Sequence, residues 1–423
     1  MSEVSIRVYR AGDEERIPSL LRRCFDTFNR YGLDREKWLE YARLNEGFKL
    51  EGAYVLEVKG TLVSHVQVVE KTLRTAAGVL LTAGIANVST DPQYRGRGYA
   101  TKLLRSVIEE YKGIKFPLTA LFTGFASGPQ RIYRRLGYVD VCLEETLTAP
   151  LSDAERAALK VSGIEVREAE DRDLPALMQL YEEAGRHFTG WPRRPENDWR
   201  EKIFARTAYH SFFYVPREEG NLVVAEEGGE VLGYAITIRS PQEPEFMWLL
   251  ELIYRQDRPD ALQSLYTYAV ERAARLGLKA VRASIPLENA YKRVFREFRP
   301  QASGGVYMAE VLDLEALVRE ALRAVDIRAS NLVTRTRVEI RYRDKAVKLR
   351  LGGGEAALHD GDVEAIIDVN PEVFNRLLFG FSNVEELLLS SHVKSDVSLR
   401  QVAEALNTLF SPRPLHIWPI DHW

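Results

Sequence analysis

Two stretches of this chain repeat one pattern, and the repeat limits the possible folds more than any other feature. Residues 6–20 read IRVYRAGDEERIPSL, and residues 164–177 read IEVREAEDRDLPAL. Each opens with alternating apolar residues, the period of a half-buried strand. Each then passes an Ala-x-Asp segment into a helix expected to begin near a proline, Pro18 or Pro175, because proline suits the first helical turn. Downstream, AYVLEVKGTLVSHVQVV (53–69) and NLVVAEEGGEVLGYAITI (221–238) read as hairpins that turn at Lys59-Gly60 and Gly228-Gly229. Two matched segments in the same order point to two copies of one mixed α/β unit. A length of 423 residues also exceeds one ordinary hydrophobic core and fits two to four domains.

The boundary between the copies is expected near TAPLSDAERAALKVSG (148–163), where hydrophobic alternation stops. After about residue 310 the character changes again. VTRTRVEIRYRDKAVKLRLGGG (333–354) alternates apolar and charged residues through two strands joined at Arg343-Asp344. AIIDVNPEVFNRLLFG (365–380) reads as a strand and then a helix starting around Pro371, while 384–393 and 399–410 have helical spacing. The last stretch, SPRPLHIWPIDHW, carries Trp418 and Trp423. A solvated tail rarely holds two tryptophans, so this end is expected to dock.

The overall balance excludes several function classes. With 58 Lys+Arg against 61 Asp+Glu, nothing draws the chain toward nucleic acid. No apolar run approaches the ~20 residues of a membrane span, and the N-terminus lacks a signal peptide's apolar core. The expectation is a soluble cytoplasmic protein with no membrane partner. Cys24 and Cys142 are the only cysteines, which rules out a disulfide framework and a cysteine-built zinc site. No metal is expected.

The stretch that carries chemistry is LLTAGIANVSTDPQYRGRGYATKLLRSVIEEY (80–111). A strand over roughly 83–90 runs through a DPQY turn into Arg95-Gly96-Arg97-Gly98-Tyr99-Ala100. A helix follows with apolar residues at Ala100, Leu103, Leu104, Val107 and Ile108. Glycines ahead of a helix let the backbone approach a ligand, and the unpaired N–H groups and dipole of the first turn favour an anion. A pyrophosphate fits that geometry, with Arg95 and Arg97 adding charge. The same spacing also suits a solvated, arginine-rich helix start. It is neither a dinucleotide fingerprint nor a P-loop.

RGRGYA resembles the [RQ]-x-x-G-x-[GA] acetyl-CoA loop of the GNAT N-acetyltransferase superfamily. The resemblance implies that the preceding strand holds the pantetheine arm through the backbone of Val88 and Thr90, with Ser89 facing the other way. ASGPQRIYRRLGYVDV (126–141) is similar to the later segment in which a tyrosine precedes a glycine turn, here Tyr133 ahead of Leu136-Gly137-Tyr138. Over the whole chain the arrangement resembles the Eis family. That implies mixed α/β sheets in three parts: a catalytic GNAT domain (1–150), a degenerate GNAT-like domain (160–305) and a sterol-carrier-like α+β domain (311–423). It also implies a hexamer, acetyl-CoA as co-substrate and a primary-amine acceptor, for which small-molecule aminoglycosides stand beside arylalkylamines, polyamines, peptide N-termini and lysine side chains. In the second copy, Arg258-Pro259-Asp260 stands where the glycines would be, so no acetyl-CoA is expected there.

The resemblance assigns Tyr133 as general acid toward the coenzyme sulfur and the terminal carboxylate of Trp423 as general base. It places the acceptor pocket along RRCFDTFNRYGLDREKWLEY (22–41), with Asp26 as anchor and Phe25, Phe28 and Trp38 as walls. His422 and Asp421 compete with the terminal carboxylate for the base role, and Asp421 is equally a further anchor candidate. Phe25 and Phe28 equally suit a core, Asp26 a solvated helix, Tyr133 an ordinary half-buried position, and His65 a satisfied structural histidine. The two cysteines read as small core residues. A different class of function, a lipid or sterol carrier on a non-catalytic scaffold, is compatible with the C-terminal part.

Overall fold

Both hairpins of the repeat turn where their glycines stand. Lys59 and Gly60 have φ of 50° and 82°, and Gly228 and Gly229 have 59° and 89°. Positive φ at both central residues matches the turn's twist to that of its strands. A third hairpin turns at Arg343-Asp344, with Arg343 at φ 55°. The computed structural model describes residues 4–114, 116–209, 213–241, 243–325 and 335–423. Val333 and Thr334 of the expected strand lie outside them. The fold is mixed α/β and divides into two units.

The first unit takes Met1–Arg43, Gly47–Cys142 and Val306–Leu415. Its strands β1 (Val4–Val8), β2 (Phe48–Val58), β3 (Thr61–Thr75) and β4 (Gly78–Thr90) follow one another antiparallel. β5 (Leu118–Gly124) then pairs parallel with β4, and residues 306–311 lie beyond β5. Helices α1 (Asp13–Cys24), α2 (Asp26–Tyr31) and α3 (Arg35–Leu44) precede β2; α4 (Tyr99–Gly113) joins β4 to β5, and α5 (Gly128–Arg135) follows β5. Leu103, Leu104, Val107 and Ile108 of α4 are buried on Val66, Val68, Ala83 and Ile85 of the sheet, as the helical spacing requires. Contrary to expectation, α1 begins at Asp13 and runs through Pro18. Gly12, at φ 98°, turns the chain, and the buried Asp13 carboxylate accepts from Arg10 N and Arg7 Nη1 there.

The same unit contains a five-stranded sheet built from 336–342, 345–352, 355–358, 365–368 and 392–395. The helix expected over 384–393 stops at Ser390, because His392–Ser395 pairs with Ala365–Asp368. Helix Pro371–Leu378 is capped by Asn370, whose side chain accepts from Glu372 N and Val373 N. The helix Leu399–Leu409 starts at a Ser398 cap.

The second unit takes Leu44–Glu46, Leu143–Gly305 and His416–Trp423. Its strand order from residues 143–150 runs 280–283, 246–254, 230–239, 222–227, 165–168. Helix Leu174–Gly185 starts with Pro175 in its first turn, as the sequence suggests. The expected boundary segment is built into this unit: it holds the helix Leu151–Ala157, with Ala154 and Ala157 fully buried.

Glu310 ties the parts of the first unit together. Its carboxylate accepts from Tyr342 Oη at 2.8 Å and from Arg343 Nη2 at 3.1 Å, and Asn375 Nδ2 donates to the same tyrosine oxygen. Burial pushes Glu310 up to about 7, against the opposing pull of Arg343. Both states are protonated below the ordinary value near 4.5. As pH rises from there toward 7 the unfolded chain ionises first, so stability falls, by up to about 3 kcal/mol once pH exceeds 7. Glu310→Gln is expected to flatten this slope. The check is the thermal midpoint of variant and parent at pH 5 and pH 8, with the parent alone losing stability through that window.

Candidate active site

The site begins with a defect in the first sheet. β3 and β4 pair in register up to Gln67↔Ala86 and again from His65↔Ser89, so one residue of β3 faces Asn87 and Val88 together. This is a β-bulge, and Asn87 takes φ 53°, a left-handed conformation that asparagine tolerates. The parallel pairing of β4 with β5 ends at Ile85↔Leu121, just before the bulge. From there β4 offers an edge with no ladder partner from β5. Asp91 N–H donates to Val63 O, and Ser89 O accepts from Ser64 Oγ at 2.7 Å, both toward β3. Backbone groups alternate sides along a strand, so Val88 and Thr90 turn theirs toward the unpaired edge.

β4 leads through a short 3₁₀ turn, Pro92–Tyr94, capped by Asp91, whose side chain accepts from Gln93 N. Gly96 and Gly98 follow, both at φ 77°, and a Cβ at either would meet nothing within 4 Å. Their backbone conformation demands glycine, and the space in front of them is open. The first helical bond of α4 runs from Lys102 N to Gly98 O at 2.9 Å. Tyr99, Ala100 and Thr101 therefore have no intrahelical acceptor, no side chain caps them, and no acidic residue stands in the first turn. Arg95 Nε donates to Thr90 O at 3.1 Å, and the Arg97 guanidinium lies 5.2 Å from the Tyr94 ring centroid. This entrance has the donors, dipole and room for a diphosphate. Cys24 is half-buried beside it, its Sγ 3.4 Å from Thr90 O, and burial pushes its thiol up, away from the reactive thiolate.

Tyr133 lies on α5 and is 5% exposed. Its ring packs edge-on against Tyr138, whose hydroxyl shares a 2.9 Å hydrogen bond with Thr119 Oγ1 on β5. Its carbonyl accepts from both Leu136 N and Tyr138 N, closing the turn at Gly137. Burial alone pushes the Tyr133 phenol up, so it stays protonated through the physiological range. A neutral, buried O–H is a proton donor.

The residues read as acceptor contacts fall in two classes. Asp26 is exposed and ion-paired with Arg30 on the same helix, and Phe25 is half-buried against buried Phe28, ring centroids 5.5 Å apart. Trp38 is fully buried, packed between Tyr9 and Phe48. His65 is fully buried with Nδ1 on Tyr54 O, and burial holds it neutral, down to about 4. Its Nε2 and the Oγ of its cross-strand partner Ser89 are both buried without a hydrogen-bond partner. Neither this pair nor the Asn87 bulge is evident from sequence reading, although an Asn inside a β-branched strand is the signal for the bulge.

The chain's end docks within the second unit. His416 N donates to Thr189 O at 3.0 Å, the His416 ring meets Trp418 edge-on at 4.3 Å, and Trp418 stacks edge-on against Trp191. Trp423 is 5% exposed. Asp421 is buried, with both carboxylate oxygens on Arg194 and one also on Tyr181 Oη. At the helix that matches α4 in the repeat, Arg258 pairs with Asp260 and Glu227, and Pro259 and Asp260 occupy the first turn. An anion finds no cradle there.

Residues 5–140 match the acetyltransferase (GNAT) domain family model. Among solved structures, a GCN5-related N-acetyltransferase from Anabaena variabilis is 15% identical with a TM-score of 0.69, over 99% of this chain and 100% of that one. One from Kribbella flavida is 16% identical at 0.69, over 99% and 98%. Eis1 from Mycobacterium abscessus is 16% identical at 0.61, over 99% and 100%. At these identities the likeness is one of fold. None of the curated proteins compared matches the chain.

Gly96→Ala and Gly98→Ala are each expected to cost about 1–2 kcal/mol through left-handed strain alone, since no neighbour crowds either position. Gly113→Ala has open space and no positive φ at the end of α4 and is expected to be neutral or stabilising. Thermal melts of the three variants check this; equal effects would show that φ is not what selects glycine in the loop.

Proposed function

We propose that this chain, whose residues 5–140 form a GNAT acetyltransferase domain, is an acetyl-CoA-dependent N-acetyltransferase of the Eis type. On this reading it has a catalytic first copy, a degenerate second copy and a sterol-carrier-like C-terminal part. The observation that carries the reading is the uncapped entrance of α4 behind two left-handed glycines, directly after a strand with an unpaired edge. In the proposed assignment, the N–H groups of Gly98, Tyr99 and Ala100 take the diphosphate, with Gly96 allowing the close approach and Arg95 and Arg97 adding charge. Val88 and Thr90 extend the sheet toward the pantetheine amides, as a β-strand would pair. Ser89 lies on the opposite face.

Transfer to an amine needs a neutral nucleophile and a protonated leaving thiolate. Acetyl-CoA supplies the thioester. The amine nitrogen attacks the thioester carbon, the C–S bond breaks, the thiolate takes the Tyr133 proton, and the amine's surplus proton goes to a base. We assign that base to the carboxylate carried by Trp423, the last residue of this sequence. Three observations support the two roles: Tyr133 is buried and neutral, and Trp423 is buried and its segment fixed. The acceptor class proposed is a small-molecule primary amine, with aminoglycosides as the first candidates. The exposed Asp26 is a proposed cation anchor, with half-buried Phe25 beside it. Trp38 would back the pocket from the core, and Asp421 would act by holding the terminus rather than by meeting the acceptor. Cytoplasmic location and a hexameric assembly complete the proposal.

The test is release of free thiol from acetyl-CoA with a panel of amines. Turnover is expected with primary amines and absent without them. Tyr133→Phe is expected to lower kcat by about a hundredfold while leaving KM for acetyl-CoA within about twofold, because the lost proton is needed only in the transition state. A residue added after Trp423 is expected to lower kcat similarly. Full turnover by the extended chain would remove the terminal carboxylate from the mechanism and leave Tyr133 standing.

A further inference from the structure

The second unit is built on the plan of the first up to the point where the first opens. Strand 246–254 pairs antiparallel with 230–239, with a register shift after Ile236, and pairs parallel with 280–283 only as far as Leu249↔Ala283. In the first unit the parallel pairing ends at Ile85 and the bulge at Asn87 comes two residues later. The residue two positions beyond Leu249 is Glu251, and its fully buried carboxylate points at Arg194. Arg194 Nη1 and Nη2 bind the two Glu251 oxygens, while Nε and Nη2 bind the two Asp421 oxygens at 2.8 and 2.7 Å. The guanidinium also lies over the rings of Tyr181 and Trp199. Tyr181 Oη donates to Asp421, and Tyr234 Oη donates to Glu251.

One cation thus serves two buried carboxylates, and aromatic rings and hydroxyls close the remaining sides. Burying a charge is costly unless it is paired and hydrogen-bonded on every side, so such a cluster has one low-energy arrangement. Only the last segment of the chain supplies Asp421. We propose that the second unit works as a receptor for residues 416–423, with Arg194 the positioning residue that sets where the end of the chain stands. As a statement about catalysis this rests on the terminal carboxylate being the base; as a statement about docking it does not. The degenerate copy thereby gains a purpose, since its splayed strand takes the chain's own aspartate by way of Arg194.

Hydrogen exchange of the 416–423 amides and steady-state kinetics are measured on the full-length protein carrying Arg194→Met, Arg194→Lys or Asp421→Asn. All three variants are expected to lose protection at residues 416–423 at least tenfold relative to the parent while protection of strands 222–227 and 230–239 is kept. Lys is expected to restore part of what Met loses. With the terminus acting as base, kcat falls about ten- to a hundredfold while KM for acetyl-CoA stays within about twofold, and the acidic limb of the pH–kcat profile moves. In a chain lacking Trp423 the same substitutions cause no further loss of kcat. Released amides with undiminished kcat uphold the receptor and overturn the carboxylate base. Unchanged protection of 416–423 in Asp421→Asn and in Arg194→Lys overturns the receptor, and these milder variants decide the matter if Arg194→Met fails to fold.

Discussion

Everything proposed for the first unit depends on β4 leaving its parallel neighbour while staying paired with β3. A parallel pair kept through to residue 90 would leave no backbone edge for a ligand to join. The pairing instead stops at Ile85, and two residues later the Asn87 bulge re-aims the strand. A bulge adds one residue to one strand and shifts the alternation of every side chain after it. Ala86 and Ser89 consequently share the face of Gln67 and His65, while Val88 packs with the α4 side of the core. The strand then delivers residues 92–98 to the head of α4, where glycine is needed for φ and the helix is left without a cap. Strand edge and helix entrance are consecutive in sequence, so one local irregularity presents both to the same side of the sheet's end.

The second unit repeats the strand plan of the first with several of those features changed. It keeps the hairpin, the register shift and the short parallel pairing. It loses the glycines: Arg258 is the N-cap residue at φ −125°, Pro259 has no N–H, and Asp260 accepts from Ala261 N. The helix start that would attract an anion is already neutralised by its own carboxylate. At the splayed strand, Glu251 puts a second carboxylate into the interior. Burial raises its pKa, opposed by Arg194. The guanidinium of Arg194 binds both of its oxygens and so offsets the cost of burying that charge.

Much of this was legible in the sequence because it is local. The Lys59-Gly60 and Gly228-Gly229 turns, the α4 apolar stripe and the Gly96 and Gly98 pair are each fixed by a few neighbouring residues whose backbone preferences agree with the fold. The docked terminus was legible for a cruder reason, two tryptophans where solvent would otherwise be. What the sequence did not disclose is set by distant partners. Pro18 marks no helix start, because a left-handed glycine and the Arg7–Asp13 pair decide that end. His392–Ser395 is a strand only because Ala365–Asp368 lies beside it. Arg194 is one of 58 Lys and Arg residues, and nothing near it in sequence separates it from an ordinary surface arginine.

Tyr133 illustrates how far geometry supports a role that a motif only suggests. An acid for a thiolate must hold its proton until sulfur takes it, which requires a phenol that neither ionises early nor spends its O–H on a stronger acceptor. Burial is the one cause that shifts Tyr133, and no charged partner contributes. Its neighbour Tyr138 differs: its hydroxyl is tied to Thr119, whose Oγ1 donates to Ala83 O on β4. The two tyrosine rings meet edge to face with centroids 5.8 Å apart, so one fixes the turn to the sheet and the other is carried by it. A stiff mount and an uncommitted proton are separate requirements, and this pair meets them with separate side chains.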